Sequence, residues 1–121
     1  MNFEYILSQV KENYEYALKI RRQIHQFPEL SYQEFKTSEF IRQELTRLGI
    51  EHKALANTGT VALIGNGKKC LALRADIDAL PIFEETGLDF SSKNNGVMHA
   101  CGHDMHTAML LTSAKILKEN E

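Results

Sequence analysis

Apolar residues return at helical spacing through the first part of the chain. Over residues 3–24 they recur every three or four positions, and charged or amide side chains fill most of the positions between them. This period predicts an amphipathic helix with one face against a core. The helix is expected to end before Pro28, because a proline pushes the residue before it out of the helical region.

A second helical pattern follows Pro28. Ser31 and Glu34 have the spacing of a capping box, in which two side chains accept hydrogen bonds from backbone N–H groups at the start of a helix. Apolar residues then keep the helical period over 35–48. Gly49 predicts the end of this helix, because glycine readily adopts the left-handed conformation found just past a helix C-terminus.

The middle of the chain has the pattern of short strands. A strand is predicted over 51–56, with a turn at 57–59. The runs 61–64 and 70–73 are apolar at every position, which is typical of strands covered on both faces. Residues 65–68 lie between them and include Asn-Gly, a pair that accepts the positive φ angles of a tight turn. We therefore expect the two apolar runs to form a hairpin.

The last predicted element is a helix over 104–118. Asp104 is expected to be its N-cap, because a carboxylate there accepts hydrogen bonds from the free N–H groups of the first turn. The helix is apolar on more than one side, so it needs cover from a sheet and from a further layer. The predicted fold class is α/β, with helices packed on a mixed sheet.

Composition and charge narrow the range of functions. The chain has 121 residues, enough for one domain with a core, and a formal net charge of -2. This charge favours neither a nucleic-acid surface nor binding to an anionic membrane. No secretory signal and no apolar run long enough to cross a bilayer are visible in the sequence, so a cytoplasmic protein is expected.

The two cysteines have different surroundings. Cys70 lies in the apolar run 70–73 and is expected to be a small buried apolar side chain. Cys101 lies among histidines. In a chain without an export signal, a structural disulfide between them is the less favoured interpretation.

The run 98–106 holds the strongest chemical signal. It places Cys101 and His103 on either side of Gly102, which lets the backbone turn so that a thiolate and an imidazole approach one ion. Both groups are ligands of borderline divalent metals. A buried cysteine beside a capping histidine is the alternative for so short a pattern, and the neighbouring histidines and aspartate favour the metal.

Two of those neighbours, His99 and His106, have open roles. Each can orient a ligand or a substrate carboxylate, or can be satisfied by ordinary hydrogen bonds. Asp104, the third neighbour, is expected to cap the helix rather than to bind a metal.

A second cluster consists of Arg74, Asp76 and Asp78 at the end of an apolar run. If the strand continues, the two aspartates point the same way, because side-chain direction alternates along a strand. Their carboxylates repel unless a cation or Arg74 compensates, so a cation site and a solvated pair at the start of a loop both stay open. Glu84 and Glu85 are expected to lie in a solvated turn.

Three motifs together resemble the N-terminal part of the two-metal amidohydrolases and metallopeptidases that include aminoacylases, hippurate hydrolases and indole-acetyl-amino-acid hydrolases. The motifs are Arg21-Arg22 with residues 25–31, Glu34 and Thr37, then residues 74–81, and then residues 98–106. Their order along the chain is that of the family, and the similarity runs over nearly the whole sequence.

The resemblance implies hydrolysis of the amide bond of N-acyl amino acids by a metallopeptidase-type catalytic domain, of which residues 1–121 are the N-terminal portion. It implies two divalent ions of zinc, manganese, cobalt or nickel, with Cys101 and His103 as ligands. Asp78 matches the aspartate that orients a metal ligand. Asp76 stands where many relatives carry a metal-binding histidine.

The resemblance also implies that several parts of the family's site are expected beyond Glu121. These are a glutamate general base, a metal-binding glutamate, two further histidines and a smaller domain that aids dimerisation. We therefore expect an incomplete catalytic domain that is inactive alone, and a homo-oligomer for the complete enzyme. The alternative is a small metal-binding or interaction module that keeps only the start of the fold. A redox role for Cys101 is disfavoured, because the sequence has no Cys-x-x-Cys pair.

Overall fold

The computed structural model describes residues 2–121, and within them four helices and two strands are formed. In chain order these are α1 (Phe3–Glu12), α2 (Tyr14–Gln26), α3 (Phe35–Arg47), β1 (Glu51–Leu55), β2 (Gly59–Leu63) and α4 (His103–Glu119). No helix among these is long and apolar enough to cross a membrane.

The apolar core lies where α2, α3 and α4 meet. Its buried members are Ile20, Ile24, Ile41, Leu45, Ile50, Ala108 and Leu111. At one edge of this core the Tyr16 hydroxyl of α2 donates to the Glu44 carboxylate of α3 at 2.9 Å. Burial, together with this carboxylate, raises the pKa of Tyr16. Removal of apolar area from water therefore joins the three helices, and a polar contact fixes their orientation.

The first predicted helix is in fact two helices that meet at Asn13. The buried Asn13 side chain donates to the Gln9 carbonyl oxygen at 2.9 Å, a local bond that competes with continuation of the helix. The prediction of one helix over 3–24 is therefore wrong. Its predicted end before Pro28 is confirmed, because α2 ends at Gln26.

The start of α3 also differs from the prediction. The Glu29 carboxylate accepts hydrogen bonds from the backbone N–H groups of Lys36 (3.2 Å) and Thr37 (2.6 Å), and from the Thr37 hydroxyl (2.7 Å). Ser31 is exposed, and the N-cap residue Glu34 makes no side-chain cap bond. The predicted capping box is therefore wrong, because the chain turns after Glu29 and brings that earlier carboxylate to the helix start.

The end of α3 agrees with the prediction. Gly49 has a φ of +67°, in the left-handed region. Its N–H donates to the Thr46 carbonyl oxygen at 3.0 Å, and the Ile50 N–H donates to the Leu45 carbonyl oxygen at 2.9 Å. These two bonds form a Schellman motif, with the two buried side chains Leu45 and Ile50 in the same core.

Strands β1 and β2 form an antiparallel hairpin that packs beside α3. The register runs from Glu51 opposite Leu63 to Leu55 opposite Gly59, which confirms the strand predicted over 51–56 and the turn after it. Elsewhere two isolated bridges occur: Leu30 with Ala79 is parallel, and Leu80 with Met98 is antiparallel. Strand pairing of both senses is therefore present.

The hairpin predicted between 61–64 and 70–73 is wrong. Strand β2 pairs with β1 instead, and residues 70–73 have no strand partner within residues 2–121. Cys70 is exposed rather than buried, and Leu71 is 85% exposed. The apolar run has the composition of a covered strand, but no layer within the described chain covers it.

The Glu29 cap gives a direct test. We expect Glu29→Ala to lower the free energy of unfolding by about 1 kcal/mol, because two N–H groups of α3 then lose their acceptor. Ser31→Ala is the control and should change stability little. Urea unfolding followed by circular dichroism measures both. A larger loss for Ser31→Ala than for Glu29→Ala would restore the capping box.

Candidate metal centre

Gly102 sets the geometry at the start of α4. Its φ of +98° lies in the left-handed region, and its carbonyl oxygen accepts hydrogen bonds from the N–H groups of Met105 and His106, both at 3.1 Å. The N-cap residue is therefore Gly102, and the prediction that Asp104 would be the N-cap is wrong. A Cβ at Gly102 would lie 3.3 Å from the Met105 side chain, so glycine suits both the angle and the space.

Asp104 is instead a buried anion in the first turn of α4. Its side chain is 0% exposed. One carboxylate oxygen, Oδ2, accepts from Nε of Arg21 at 2.9 Å and lies 2.7 Å from Nδ1 of His25. The other, Oδ1, accepts from the Met105 N–H at 2.9 Å. The carboxylate is thus fully paired, which a buried charge requires.

His25 connects Asp104 to a second carboxylate. Its Nε2 lies 3.0 Å from Oε1 of Glu84, and the two side chains are 2% and 3% exposed. Ionised carboxylates only accept hydrogen bonds, so both ring nitrogens of His25 donate and the ring carries both protons. The three side chains form a buried chain of alternating charge that joins α2, α4 and the long loop that precedes α4. We call Asp104, His25 and Glu84 the buried clamp.

Glu84 is held ionised by its surroundings. Burial alone would raise its pKa, but hydrogen bonds from the Thr86 hydroxyl, from the Ser92 N–H at 2.8 Å and from His25 outweigh it, and the pKa falls to about 2. The prediction that Glu84 lies in a solvated turn is wrong. The local sequence gave no signal of this pairing, because the partner of Glu84 is a histidine far away in the chain.

His103 has the geometry of a metal ligand held by a neighbour. Its Nδ1 lies 2.9 Å from the backbone oxygen of Asp78 and 3.0 Å from the Asp78 carboxylate. Both are acceptors, so Nδ1 carries the proton and Nε2 keeps its lone pair. Metal-binding histidines usually donate their other nitrogen in this way. The contact needed for Asp78 to orient His103 is present.

Asp76 and Asp78 do not share a site. The Asp76 carboxylate lies 2.5 Å from a guanidinium nitrogen of Arg74, and its backbone oxygen accepts from the Thr107 hydroxyl at 3.1 Å. Asp78 faces His103 instead. Each carboxylate therefore has its own partner, and Arg74 supplies the compensating cation for Asp76.

Cys101 is exposed and is not in a disulfide. His106 is exposed and stacks on His103, with ring centroids 6.0 Å apart. Within residues 2–121, no group of three or more His, Cys, Asp or Glu side chains could hold a metal ion together. The predicted ligands Cys101 and His103 thus do not form a complete coordination shell from described residues.

His99 is the unexplained side chain of the loop. It is 4% exposed, and neither of its ring nitrogens has a hydrogen-bond partner within residues 2–121. Burial lowers its pKa to about 4, so the ring is neutral at pH 7. Its centroid lies 6.5 Å from that of His25. Buried polar atoms without partners are rare in proteins and point to a bound water or ligand.

The low pKa of Glu84 makes stability depend on pH. Because the folded state binds this proton more weakly, the unfolded state takes it up first as the pH falls from about 5 to about 2, and the free energy of unfolding decreases. We expect Glu84→Gln to cost about 3 kcal/mol at pH 7 and to reduce this pH dependence, because it leaves a buried cation with one carboxylate fewer. Urea unfolding at several pH values measures both effects.

The neighbouring Glu85 provides the matched control for that experiment. It is exposed, so Glu85→Gln should preserve both the stability and its pH dependence. Equal behaviour of the two variants would contradict the pairing of Glu84.

Comparison with known proteins identifies the family. The sequence description of peptidase family M20/M25/M40 matches residues 72–121. N-acetyl-L-cysteine deacetylase of Bacillus subtilis is 54% identical over an alignment of 105 residues that covers 84% of this chain and 25% of that protein. Thermostable carboxypeptidase 1 of Saccharolobus solfataricus is 47% identical over an alignment of 122 residues that covers 98% of this chain and 31% of that protein. IAA-amino acid hydrolase ILR1-like 5 of Arabidopsis thaliana is 45% identical over 95% of this chain and 27% of its own length.

Solved structures give the same result. The YXEP protein of Bacillus subtilis, described as a dinuclear metal binding peptidase from the M20 family, matches with a TM-score of 0.84 and 43% identity over 91% of this chain and 32% of that one. A putative aminohydrolase from methicillin-resistant Staphylococcus aureus matches with a TM-score of 0.91 and 44% identity over 98% of this chain and 32% of that one. The predicted fold class is thereby confirmed, and this chain spans about a third or less of the length of these relatives. The chain belongs to peptidase family M20/M25/M40.

Proposed function

We propose that this chain supplies part of the metal centre of a hydrolase that cleaves the amide bond of N-acyl amino acids. The observation that carries the proposal is the His103–Asp78 pair, which leaves Nε2 of His103 free to bind a metal. The names of two relatives, an N-acetyl-L-cysteine deacetylase and an IAA-amino acid hydrolase, support this substrate class.

The donor atoms suit two borderline divalent ions. On this proposal Cys101 and His103 are ligands, and Asp78 orients His103 through its Nδ1 proton. Thiolate and imidazole fit zinc, cobalt or nickel, and imidazole with carboxylate fits manganese as well. Asp76 has a supporting role, because its backbone oxygen accepts a hydrogen bond from the Thr107 hydroxyl and so holds this part of the loop against α4. When bound, such ions lower the pKa of water and polarise the amide carbonyl.

The remaining parts of the site lie outside residues 2–121 on this proposal. Within them no group of three or more candidate ligands is present, and on this proposal the glutamate general base and the other ligands belong to the whole enzyme. Residues 1–121 then form the N-terminal portion of the catalytic domain and are inactive alone. We further propose a homo-oligomeric, cytoplasmic enzyme.

A second candidate is a metal-binding or interaction module with the amidohydrolase start but without its chemistry. It is favoured by the exposed apolar side chains of the unpaired run 70–73, since a contiguous apolar surface is typical of a protein contact. The two candidates predict different outcomes when the catalytic domain is completed: the first predicts hydrolysis, and the second predicts none.

A chimaera tests the proposal. We would replace the matching segment of the Bacillus subtilis deacetylase, 54% identical, with this chain and assay hydrolysis of N-acetyl-L-cysteine. We expect activity, its loss to background with Cys101→Ala or His103→Ala, and its retention with Cys70→Ala, because Cys70 is exposed and is not one of the proposed ligands. A folded chimaera without activity would favour the interaction module.

Asp78→Asn in the same chimaera tests the orienting role. We expect a loss of metal affinity or activity of about 10–100-fold, because the amide no longer fixes the His103 ring as a carboxylate does. Asp76→Asn is the control and should have the smaller effect, because its carboxylate faces Arg74. Equal losses would contradict the separate roles of the two aspartates.

A further inference from the structure

We propose that the buried clamp is a positioning device that holds His103 in its ligand orientation. Asp104, His25 and Glu84 are positioning residues on this view, and they touch neither a substrate nor a metal. The inference rests on the proposed function for its purpose, but its geometry can be tested without a metal.

Two neighbouring residues at the start of α4 make contacts in opposite directions. Asp104 reaches α2 through His25 and Arg21, at 2.7 Å and 2.9 Å. His103, the residue before it, reaches Asp78 on the other side. The first turn of α4 is therefore tied laterally in two directions by adjacent side chains.

Apolar contacts between α2 and α4 begin one turn further along α4, where Ala108 packs in the same core as Ile24, so the contacts of Asp104 are the polar ties of the first turn to α2. The N-cap is Gly102, which has no side chain to supply a cap bond. The preceding loop is paired through the backbone of Met98 with Leu80, a contact on the Asp78 side of the turn. We expect that loss of the Asp104 contacts lets this first turn shift relative to Asp78, so that Nδ1 of His103 loses its fixed acceptor.

The buried clamp supplies directional contacts that apolar packing does not. Apolar side chains of similar volume often stabilise a fold as well as a buried ion pair does, because desolvation offsets the Coulomb attraction. Hydrogen bonds between charged groups are directional, whereas apolar contacts are not. The Asp104 carboxylate is held to fixed donor atoms within 2.9 Å. Glu84 completes the clamp by fixing the far nitrogen of His25 and, through the Ser92 N–H, the loop that faces α4.

Ring nitrogen NMR of His103 in the metal-free chain tests the clamp. At pH 8 the wild-type ring should be a single tautomer with the proton on Nδ1, because both neighbours of that nitrogen are acceptors. We expect His25→Gln to shift His103 to a mixture of tautomers. Tyr16→Phe is the matched control: it removes a side-chain hydrogen bond from the same helix, but that bond goes to Glu44 of α3 and not to the loop.

Glu84→Gln is a second test variant, for use if His25→Gln does not fold. It keeps Asp104 paired with His25 and Arg21, so a smaller shift of the His103 tautomer is expected. An unchanged His103 tautomer in whichever of the two variants folds, or an equal change in Tyr16→Phe, would overturn the clamp.

Cobalt binding separates this inference from the proposed function. In the chimaera, where the site is complete, we expect a thiolate-to-cobalt absorption band that is lost with Cys101→Ala, and we expect His25→Gln to weaken Co²⁺ binding by about 10–100-fold. If the tautomer shifts but the unmutated chimaera shows no cobalt band, the clamp stands and the proposed metal function fails. If the band appears and the tautomer is unchanged, the metal function stands and the clamp is overturned.

Discussion

The Asp104 carboxylate constrains the structure more than any other group near the candidate metal centre. It is fully buried, so it persists as an anion only with donors around it, and its side-chain donors come from α2. The same pairing fixes His25, which in turn requires Glu84. One buried charge thus determines how the first turn of α4, helix α2 and the loop before α4 lie together.

The apolar core and this polar chain make different contributions to the structure. Isoleucine, leucine and alanine side chains of α2, α3 and α4 remove apolar surface from water, a force without direction. The polar contacts add direction: Tyr16 with Glu44 at one end of α2, and His25 with Asp104 at the other. A ligand geometry at His103 needs both, because packing alone tolerates small shifts that a hydrogen bond does not.

The two candidate ligands of the metal centre differ in how firmly they are held. Asp78 holds the protonated nitrogen of His103, whereas Cys101 stands exposed with no partner cluster within residues 2–121. The apolar run 70–73 is likewise exposed. Both features fit a chain that spans about a third or less of the length of its relatives.

The sequence by itself determined what depends on local chemistry. The end of α2 before Pro28 and the end of α3 at Gly49 could be read from single residues, because proline and glycine act on their own backbone. The first strand could be read from a short segment followed by turn residues. The family could be read from three ordered motifs. Tertiary structure alone decided which distant groups meet: Glu29 at the start of α3, and Asp104 with His25 and Glu84. No local pattern encodes those pairs, because a carboxylate chooses its donor by position in space and not by distance along the chain.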